Sequence, residues 1–176
     1  SVVGVGALKG VGYVAKLPGT QRAVDFVSKG GSRLIEALNL RKVVSSTSVW
    51  LEPPVIRGMK IEKMRGQNLH KNFTRVDRWN PLKGIATSIK SLNVYDVTYQ
   101  NSKRLMYKLR RYVREVSEFK GAELGIDIIE AHQIKLLELE VAVPSLGTPA
   151  QQKVFEEIIT YGMERKVDVK IIVIPK

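Results

Sequence analysis

The sequence predicts an α/β fold of the α+β kind, in which helices flank a mixed central β-sheet. Residues 134–143 alternate between apolar and acidic side chains, which is typical of a half-buried strand. Residues 167–174 are almost continuously β-branched, which indicates a central strand covered on both faces. Amphipathic helical patterns at residues 55–65, at residues 96–119 and after Thr148 lie between the strands. We therefore expect the helices to cover the sheet.

The first 54 residues predict a small helical segment that ends in a linker. Short helices at residues 20–28 and 32–40 each begin with a hydroxyl side chain that can cap free N–H groups. Residues 42–54 combine a Ser/Thr run with two prolines, which is typical of a linker. We place the boundary there, so that residues 55–176 form the main domain. Because the chain begins with Ser1, we expect it to be part of a longer protein.

The main domain opens with a helix and a hairpin. The helix at residues 55–65 ends at Gly66. Residues 72–79 and 85–92 predict two strands, and the turn between them has the sequence Asn80-Pro81-Leu82-Lys83-Gly84. This turn favours antiparallel pairing of the two strands.

Two further helices complete the predicted order of elements. Asp96 is suited to cap a long helix that reaches Phe119. Thr148-Pro149-Ala150-Gln151 has the hydroxyl cap, the proline and the glutamine of a helix start. From residue 55 the order is helix, two strands, helix, strand, helix and strand, as in a mixed sheet with helices on its faces.

The composition points to a polyanionic partner and limits the metal chemistry. Lys and Arg number 29 against 17 Asp and Glu, a net charge of +12, which favours nucleic acid. The absence of cysteine excludes disulfides and thiolate metal sites. The only histidines, His70 and His132, are far apart in sequence, so a bound metal is expected on oxygen ligands. No apolar run reaches the roughly 20 residues of a membrane span, so we predict no stable membrane insertion.

Four polar residues of the helix and hairpin could converge on one point. Asp77 lies on the first strand, while Ser88 and Lys90 are two positions apart on the second and share a face. Glu62 comes from the preceding helix. Phosphodiester cleavage uses such a set, because acids hold a divalent ion and a lysine offsets charge in the transition state. The same residues are also common on an exposed hairpin, where Asp77 would form an ordinary surface ion pair.

The motifs around these residues resemble the C-terminal nuclease toxins of contact-dependent growth-inhibition (CDI) systems. The resemblance extends over about residues 55–175 and leaves residues 1–54 unmatched. It is carried by the runs Arg57–Glu62, Asn68-Leu69, Asn72-Phe73, Val76-Asp77-Arg78, Gly84–Leu92, Thr98-Tyr99-Gln100 and Val141–Pro144.

The resemblance implies a core like that of the PD-(D/E)XK nucleases and assigns roles to the four residues. Glu62 and Asp77 would be metal ligands, and Lys90 the positioning cation. Ser88 stands where that superfamily usually has an acid, and a hydroxyl is a poorer ligand for a hard cation. Another acid could compensate, with Glu138 and Glu140 as the candidates. The implied metal is Mg²⁺, with Mn²⁺ or Zn²⁺ as alternatives.

The resemblance also implies a biological setting. Such toxins are released from large proteins presented on the cell surface, act in the cytoplasm of a target bacterium, and are neutralised by a cognate immunity protein. Given the positive charge of this chain, we expect that protein to be acidic at its interface. Residues 1–54 would be a remnant of the segment that brings the toxin into cells. The resemblance favours tRNA as substrate, and DNA stays open.

The predicted helix from about Tyr99 to Phe119 is the candidate for gripping the substrate, because cations hold phosphates and aromatic rings stack on bases. Its candidate contacts are Tyr99, Gln100, Lys103, Arg104, Tyr107, Arg110, Arg111 and Arg114, with Lys108 beside them. The alternative is a solvated helix face.

Three other functions are weighed against this one. A metal-independent RNase would use His70 and His132 as acid and base. A non-catalytic module would bind nucleic acid through charge alone. A membrane-active fragment would rely on the Gly- and Val-rich opening of the chain.

Overall fold

The computed structural model describes residues 12–14, 24–26 and 48–176. The strands are β1 Gly12–Val14, β2 Val24–Phe26, β3 Arg78–Asn80, β4 Ile85–Ser91, β5 Ala122–Leu124, β6 Asp127–Ile129, β7 Leu136–Val143 and β8 Val167–Val173. The helices are α1 Pro54–Met64, α2 Val97–Gln100, α3 Ser102–Ser117 and α4 Pro149–Glu164, with short 3-10 helices at Val49–Leu51 and Ala131–Gln133.

The main sheet is mixed, as predicted, and has the strand order β3-β4-β7-β8. β3 is antiparallel to β4, whereas β4, β7 and β8 are parallel to one another. The prediction that residues 167–174 form the central strand is wrong, because β8 stands at the end of this order. β7 lies between β4 and β8, and its consecutive side chains from Glu138 to Val143 are buried on both of its faces.

Different apolar clusters cover the two faces of β7. On one face Leu139 and Val141 pack with α3 and α4 in the largest core cluster. On the other face Ala142 packs with Trp50, Ile61 and Ile89. Glu138 and Glu140 lie on this second face, and their burial corrects the expectation that β7 is half-exposed.

Helix α1 confirms the prediction for residues 55–65. Proline stands at its first position, and the chain leaves the helix through Gly66, whose φ of 80° favours glycine. Ile61 is buried against the sheet. α1 therefore lies against β4, with Glu62 one position past the buried face.

The prediction of one long helix from Asp96 to Phe119 is wrong, because the helix is interrupted at Asn101. This residue has an extended backbone and separates α2 from α3. Its Oδ1 accepts a hydrogen bond of 3.1 Å from the backbone N–H of Arg104, so Asn101 caps the second helix. The buried stripe of α3 is Leu105, Leu109, Val113 and Val116.

The hairpin prediction is confirmed in its pairing but not in its length. β3 and β4 are antiparallel, with Trp79 opposite Ala86. Of the predicted strand at residues 72–79 only Arg78 and Trp79 belong to β3, which also includes Asn80 of the predicted turn. The preceding residues turn, and Arg75 has a φ of 66° there. A second hairpin, β5–β6, was not predicted.

The first 54 residues differ from the prediction where they are described. β1 and β2 pair antiparallel, so the helix predicted at residues 20–28 is wrong at Val24–Phe26. The helix predicted at residues 32–40 lies outside the described residues. Trp50 is buried, and its Nε1 donates to the carbonyl of Ile174 at 2.6 Å. The domain boundary after residue 54 stays a prediction.

Within the described residues, no helix is both long and apolar enough to span a bilayer.

Candidate active site

Asp77 lies where the pairing of β3 with β4 ends. Its backbone N–H donates to the carbonyl of Thr87 at 2.9 Å, which continues the ladder by one residue. Its Oδ2 then accepts from the backbone N–H of Ile89 at 2.6 Å. The carboxylate thus takes the place of a strand carbonyl. Lys90 Nζ lies 3.6 Å from the same oxygen.

Glu62 joins this pair from α1. Burial raises the pKa of Glu62 above 4.5, the negative charge of Asp77 raises it further, and the positive charge of Lys90 opposes both. All three charged groups are therefore close together, as the spacing in the sequence predicts. Gly58 leaves room beside them, because a Cβ placed there would meet only Glu62 Oε1, at 3.9 Å.

Ser88 is brought to the same strand segment but does not reach the surface. It lies between Thr87 and Ile89, whose backbone groups bond to Asp77, and its exposure is 0%. Among the described residues its Oγ has no hydrogen-bond partner. A buried hydroxyl without a partner is rare and calls for a reason.

Glu138 and Glu140 do not supply a further acid to the site. In the parallel register they stand opposite Thr87 and Ile89, whereas Ser88 and Lys90 stand opposite Leu139 and Val141. Since strand side chains alternate, the two glutamates are on the other face of the sheet. The hypothesis that they replace the missing acid is therefore wrong.

Both glutamates are engaged by cations on that face. Arg78 Nη2 donates to Glu140 Oε1 at 2.7 Å and to Glu138 Oε1 at 3.1 Å. Arg65 Nε donates to Glu140 Oε2 at 2.8 Å, and Lys170 pairs with Glu138. Arg65 follows Glu62 by three positions, and Arg78 follows Asp77 directly. The network thus joins both acid-bearing elements to β7.

The acids present fit a hard divalent cation. Within the described residues, no three His, Cys, Asp or Glu side chains form a group that could hold a metal. Two carboxylates are nevertheless enough for an ion such as Mg²⁺, which keeps several waters and binds substrate phosphate. The mutual repulsion of Glu62 and Asp77 is what such a cation would relieve.

Comparisons with known proteins show the family to which the chain belongs. The family model for a CDI toxin restriction endonuclease-like domain matches residues 57–172, well over half of the chain. The chain belongs to this family. A solved structure described as a CdiA-CT/CdiI toxin and immunity complex from Yersinia pseudotuberculosis is similar, with 25% identity and a TM-score of 0.54. That match covers 62% of this chain and 89% of the other. No curated protein sequence matches the chain.

The family match confirms the resemblance and the fold. This CDI toxin domain has a mixed sheet flanked by helices, which is consistent with the restriction endonuclease-like fold of its family. Glu62, Asp77, Ser88 and Lys90 all lie inside the matched residues. Their roles stay predictions.

The basic surface predicted for the CDI toxin domain lies mainly on α3. Lys103, Arg104, Tyr107, Arg110, Arg111 and Arg114 are all exposed. Lys103 and Tyr107 line a groove of about 500 Å³ towards α4 and a second of about 340 Å³ towards Tyr99. Arg111 pairs with Glu115, and Arg110 lies over the ring of Tyr161.

Two predicted substrate contacts of the toxin domain differ from the rest. Gln100 Nε2 donates to the carbonyl of Val94 at 2.8 Å, so this side chain stabilises the loop after β4. Burial raises the pKa of Tyr99, the charge of Asp96 adds to the rise, and the charge of Arg57 opposes it. Tyr99 is thus partly buried near α1 rather than freely exposed.

The two histidines have local roles in the described structure. His70 Nδ1 accepts from the backbone N–H of Asn72 at 3.2 Å. His132 is exposed and lies 3.6 Å from Glu130. In residues 48–176, neither forms a hydrogen bond or an ion pair with Glu62, Asp77 or Lys90.

The sequence reasoning missed the residues that hold the toxin domain's site together. The sequence predicts no site role for Arg65 or Arg78, and it predicts Glu140 only as a candidate compensating acid. One signal was available, since Arg78 follows Asp77 directly and its side chain must leave on the opposite face. The buried position of its partners could not be seen from alternation alone.

Proposed function

We propose that this CDI toxin domain is a metal-dependent endonuclease that hydrolyses phosphodiester bonds of tRNA or DNA in a target bacterium. One observation carries the proposal: Asp77 is held by Ile89 N–H at 2.6 Å, faces Lys90 at 3.6 Å and lies beside Glu62. Two acids and a cation around one point match the needs of phosphodiester hydrolysis.

In this proposal each side chain has a separate task. Glu62 and Asp77 would hold the divalent ion, which when bound polarises the phosphate and makes water a better nucleophile. The hydrogen bond from Ile89 fixes the carboxylate of Asp77 in one orientation. Lys90 orients the attacking water and offsets negative charge that develops on the phosphate.

Ser88 is buried beneath these groups and would act through a bound water. Because its Oγ is buried and has no protein partner in the described residues, it can bond a water that enters with the metal. This gives the unpaired hydroxyl a reason and explains how a serine can occupy a position where related nucleases have an acid.

The substrate would lie across α3. Its exposed cations can bind consecutive phosphates, and Tyr107 offers an exposed ring for stacking. Neither feature separates RNA from DNA. The preference for tRNA that the family resemblance implies is therefore tested directly against DNA.

The test is a cleavage assay with the purified chain. Total tRNA and plasmid DNA are incubated with Mg²⁺, Mn²⁺, Zn²⁺ or excess chelator. Asp77→Ala and Lys90→Ala are compared with the wild type, and Glu123→Ala and Lys83→Ala serve as matched controls because both residues are exposed. We expect metal-dependent cutting that survives in the controls and is lost in Asp77→Ala and Lys90→Ala.

The other outcomes are equally informative. The substrate that is cut decides between tRNA and DNA. Cutting that resists chelator and both site variants would refute the proposal and turn attention to His70 and His132. A metal dependence without any effect of Asp77→Ala would show that the metal is held elsewhere.

We further propose that the domain is delivered from a cell-surface precursor and bound by a cognate immunity protein. The similar Yersinia pseudotuberculosis chain was solved as a toxin and immunity complex, and the net charge of +12 here favours an acidic partner. We expect the complex to weaken as salt is raised, which a binding titration at two ionic strengths measures. An affinity that does not depend on salt would argue against an acidic interface.

A further inference from the structure

Two buried side-chain atoms in the described residues have no hydrogen-bond partner, and the first, Ser88 Oγ, belongs to the site already discussed. The second is Nε of Arg57. Arg57 lies on α1 next to Gly58 and five positions before Glu62, and only 7% of it is exposed. Helix α1 thus connects this guanidinium, whose buried Nε has no partner among the described residues, to a proposed metal ligand.

The surroundings of Arg57 are aromatic. Its guanidinium carbon lies 5.6 Å from the centre of the Trp50 ring. Burial raises the pKa of Tyr99, and raises that of Tyr112 to about 12, while the charge of Arg57 opposes both shifts. The guanidinium is therefore near α2 and α3 as well. Within residues 48–176 it forms no ion pair with an acid.

A buried cation without an anion is an unfavourable arrangement for a purely structural residue. Burying a charge costs free energy unless an opposite charge or hydrogen bonds compensate. Stacking on Trp50 compensates only in part, because it gives the Nε–H group no acceptor among the described residues. By contrast, Arg65 and Arg78 on the same side of the sheet both have buried carboxylate partners. An anionic group of the substrate would give Arg57 the negatively charged partner that Arg65 and Arg78 already have.

We propose that Arg57 binds a backbone phosphate of the nucleic acid next to the bond that is cut. This inference rests on the proposed function and adds a binding residue to it. A guanidinium binds phosphate through two parallel hydrogen bonds, and stacked rings keep its plane in one orientation. Since Arg57 and Glu62 share α1, the bound phosphate would stand at a fixed distance from the metal ligands.

The first experiment measures binding without cleavage. Trp50 reports on the site, because it stacks on Arg57, and Trp79 is the only other tryptophan. Inorganic phosphate is titrated while tryptophan emission is recorded for wild type, Arg57→Gln and Trp50→Phe. We expect a saturable change that is present in the wild type and absent in both variants. A response that persists in Arg57→Gln overturns the proposal.

The second experiment measures the substrate. The affinity for labelled tRNA and DNA is compared between Lys90→Ala and Lys90→Ala/Arg57→Gln, so that neither protein needs to cut. We expect the affinity to fall about tenfold or more, as for loss of a charged hydrogen bond. Arg75→Gln on the same background is the control, because Arg75 is exposed and pairs with Glu118. Equal losses in both double variants would overturn the proposal.

A role confined to folding has a different signature. If Arg57→Gln does not fold, Arg57→Lys keeps the charge but not the paired donors, and we expect it to raise KM for cutting severalfold with little change in kcat. Unchanged KM and phosphate response in a folded Arg57→Lys would overturn the inference. The proposed function fails separately, since cutting that resists chelator and survives in both Asp77→Ala and Lys90→Ala would refute it whatever Arg57 does.

Discussion

Arg65 and Glu140 form an ion pair that is buried on both sides. Nε lies 2.8 Å from Oε2, and the two side chains are 5% and 2% exposed. The pair connects the end of α1 to the central strand β7. Glu140 also accepts from Arg78, so one carboxylate holds the elements that carry Glu62 and Asp77.

The first prediction concerns the loss of this carboxylate. Glu140→Gln leaves Arg65 and Arg78 without their shared charge, and breaking a buried pair in this way typically costs about 3–5 kcal/mol. We expect a loss of that order in the free energy of unfolding, measured by urea denaturation. Glu115→Gln is the control, because Glu115 forms a solvent-exposed pair with Arg111 that contributes little to stability. Equal effects of the two changes would contradict the prediction.

The second prediction concerns pH. Burial raises the pKa of Glu140, but the hydrogen bonds and charges of Arg65 and Arg78 outweigh it and leave the pKa below 4.5. The folded state thus holds this proton more weakly than the unfolded state. The stabilisation is complete above about pH 4.5 and is lost as the pH falls through the lowered pKa.

The stability difference between wild type and Glu140→Gln should therefore be constant from about pH 7 to pH 5 and shrink in stronger acid. Urea unfolding of both proteins at four pH values between about 7 and about 3 measures this difference in stability. A difference that stays constant down to about pH 3 would mean that the charge of Glu140 is not what stabilises the fold.

The third prediction concerns Ser88. Ser88→Ala removes a buried hydroxyl without a partner, so we expect equal or higher thermal stability. If the hydroxyl orders water at the metal, cutting should slow by roughly 10- to 100-fold. Ser91→Ala on the same strand should change neither property. A Ser88→Ala protein that is stable and fully active would remove Ser88 from the mechanism.

The fourth prediction concerns the basic face of α3. Replacing Arg110, Arg111 and Arg114 with alanine removes exposed charges, so binding should weaken for every sequence of nucleic acid. The slope of log affinity against log salt should fall by about one for each phosphate contact that is lost. The control replaces Lys71, Lys83 and Lys135, which are exposed elsewhere. The same flattening in both triple variants would mean that net charge, not α3, is what binds.

Much of the fold and the convergence of the site could be predicted from the sequence. Turn chemistry at residues 80–84 is local, so it predicts the β3–β4 pairing and brings Asp77 towards Lys90. Proline and glycine at the ends of α1 are also local signals. These predictions are confirmed because residues that are close in the sequence determine the features concerned.

The predictions are wrong mainly where residues far away in the sequence determine the local structure or burial. The alternating pattern of β7 indicates one solvent-exposed face, but the side chains of Arg65 and Arg78 cover that face and form buried ion pairs with its glutamates. The apolar stripe from Leu105 onwards hides the break at Asn101, because a single extended residue hardly disturbs helical periodicity. The burial of Arg57 could not be predicted for a similar reason, because the residues near it in the sequence do not indicate that its side chain is buried.

The position of Glu140 in the chain has a consequence for the time at which the toxin becomes active. It follows Arg65 by 75 residues and Arg78 by 62. A chain that is still emerging from the ribosome therefore carries both proposed metal ligands well before it carries the residue that sets their spacing. Until β7 has been made, Arg65 and Arg78 lack the carboxylate that they share. The nuclease site that we propose therefore becomes complete only after most of the domain has been made.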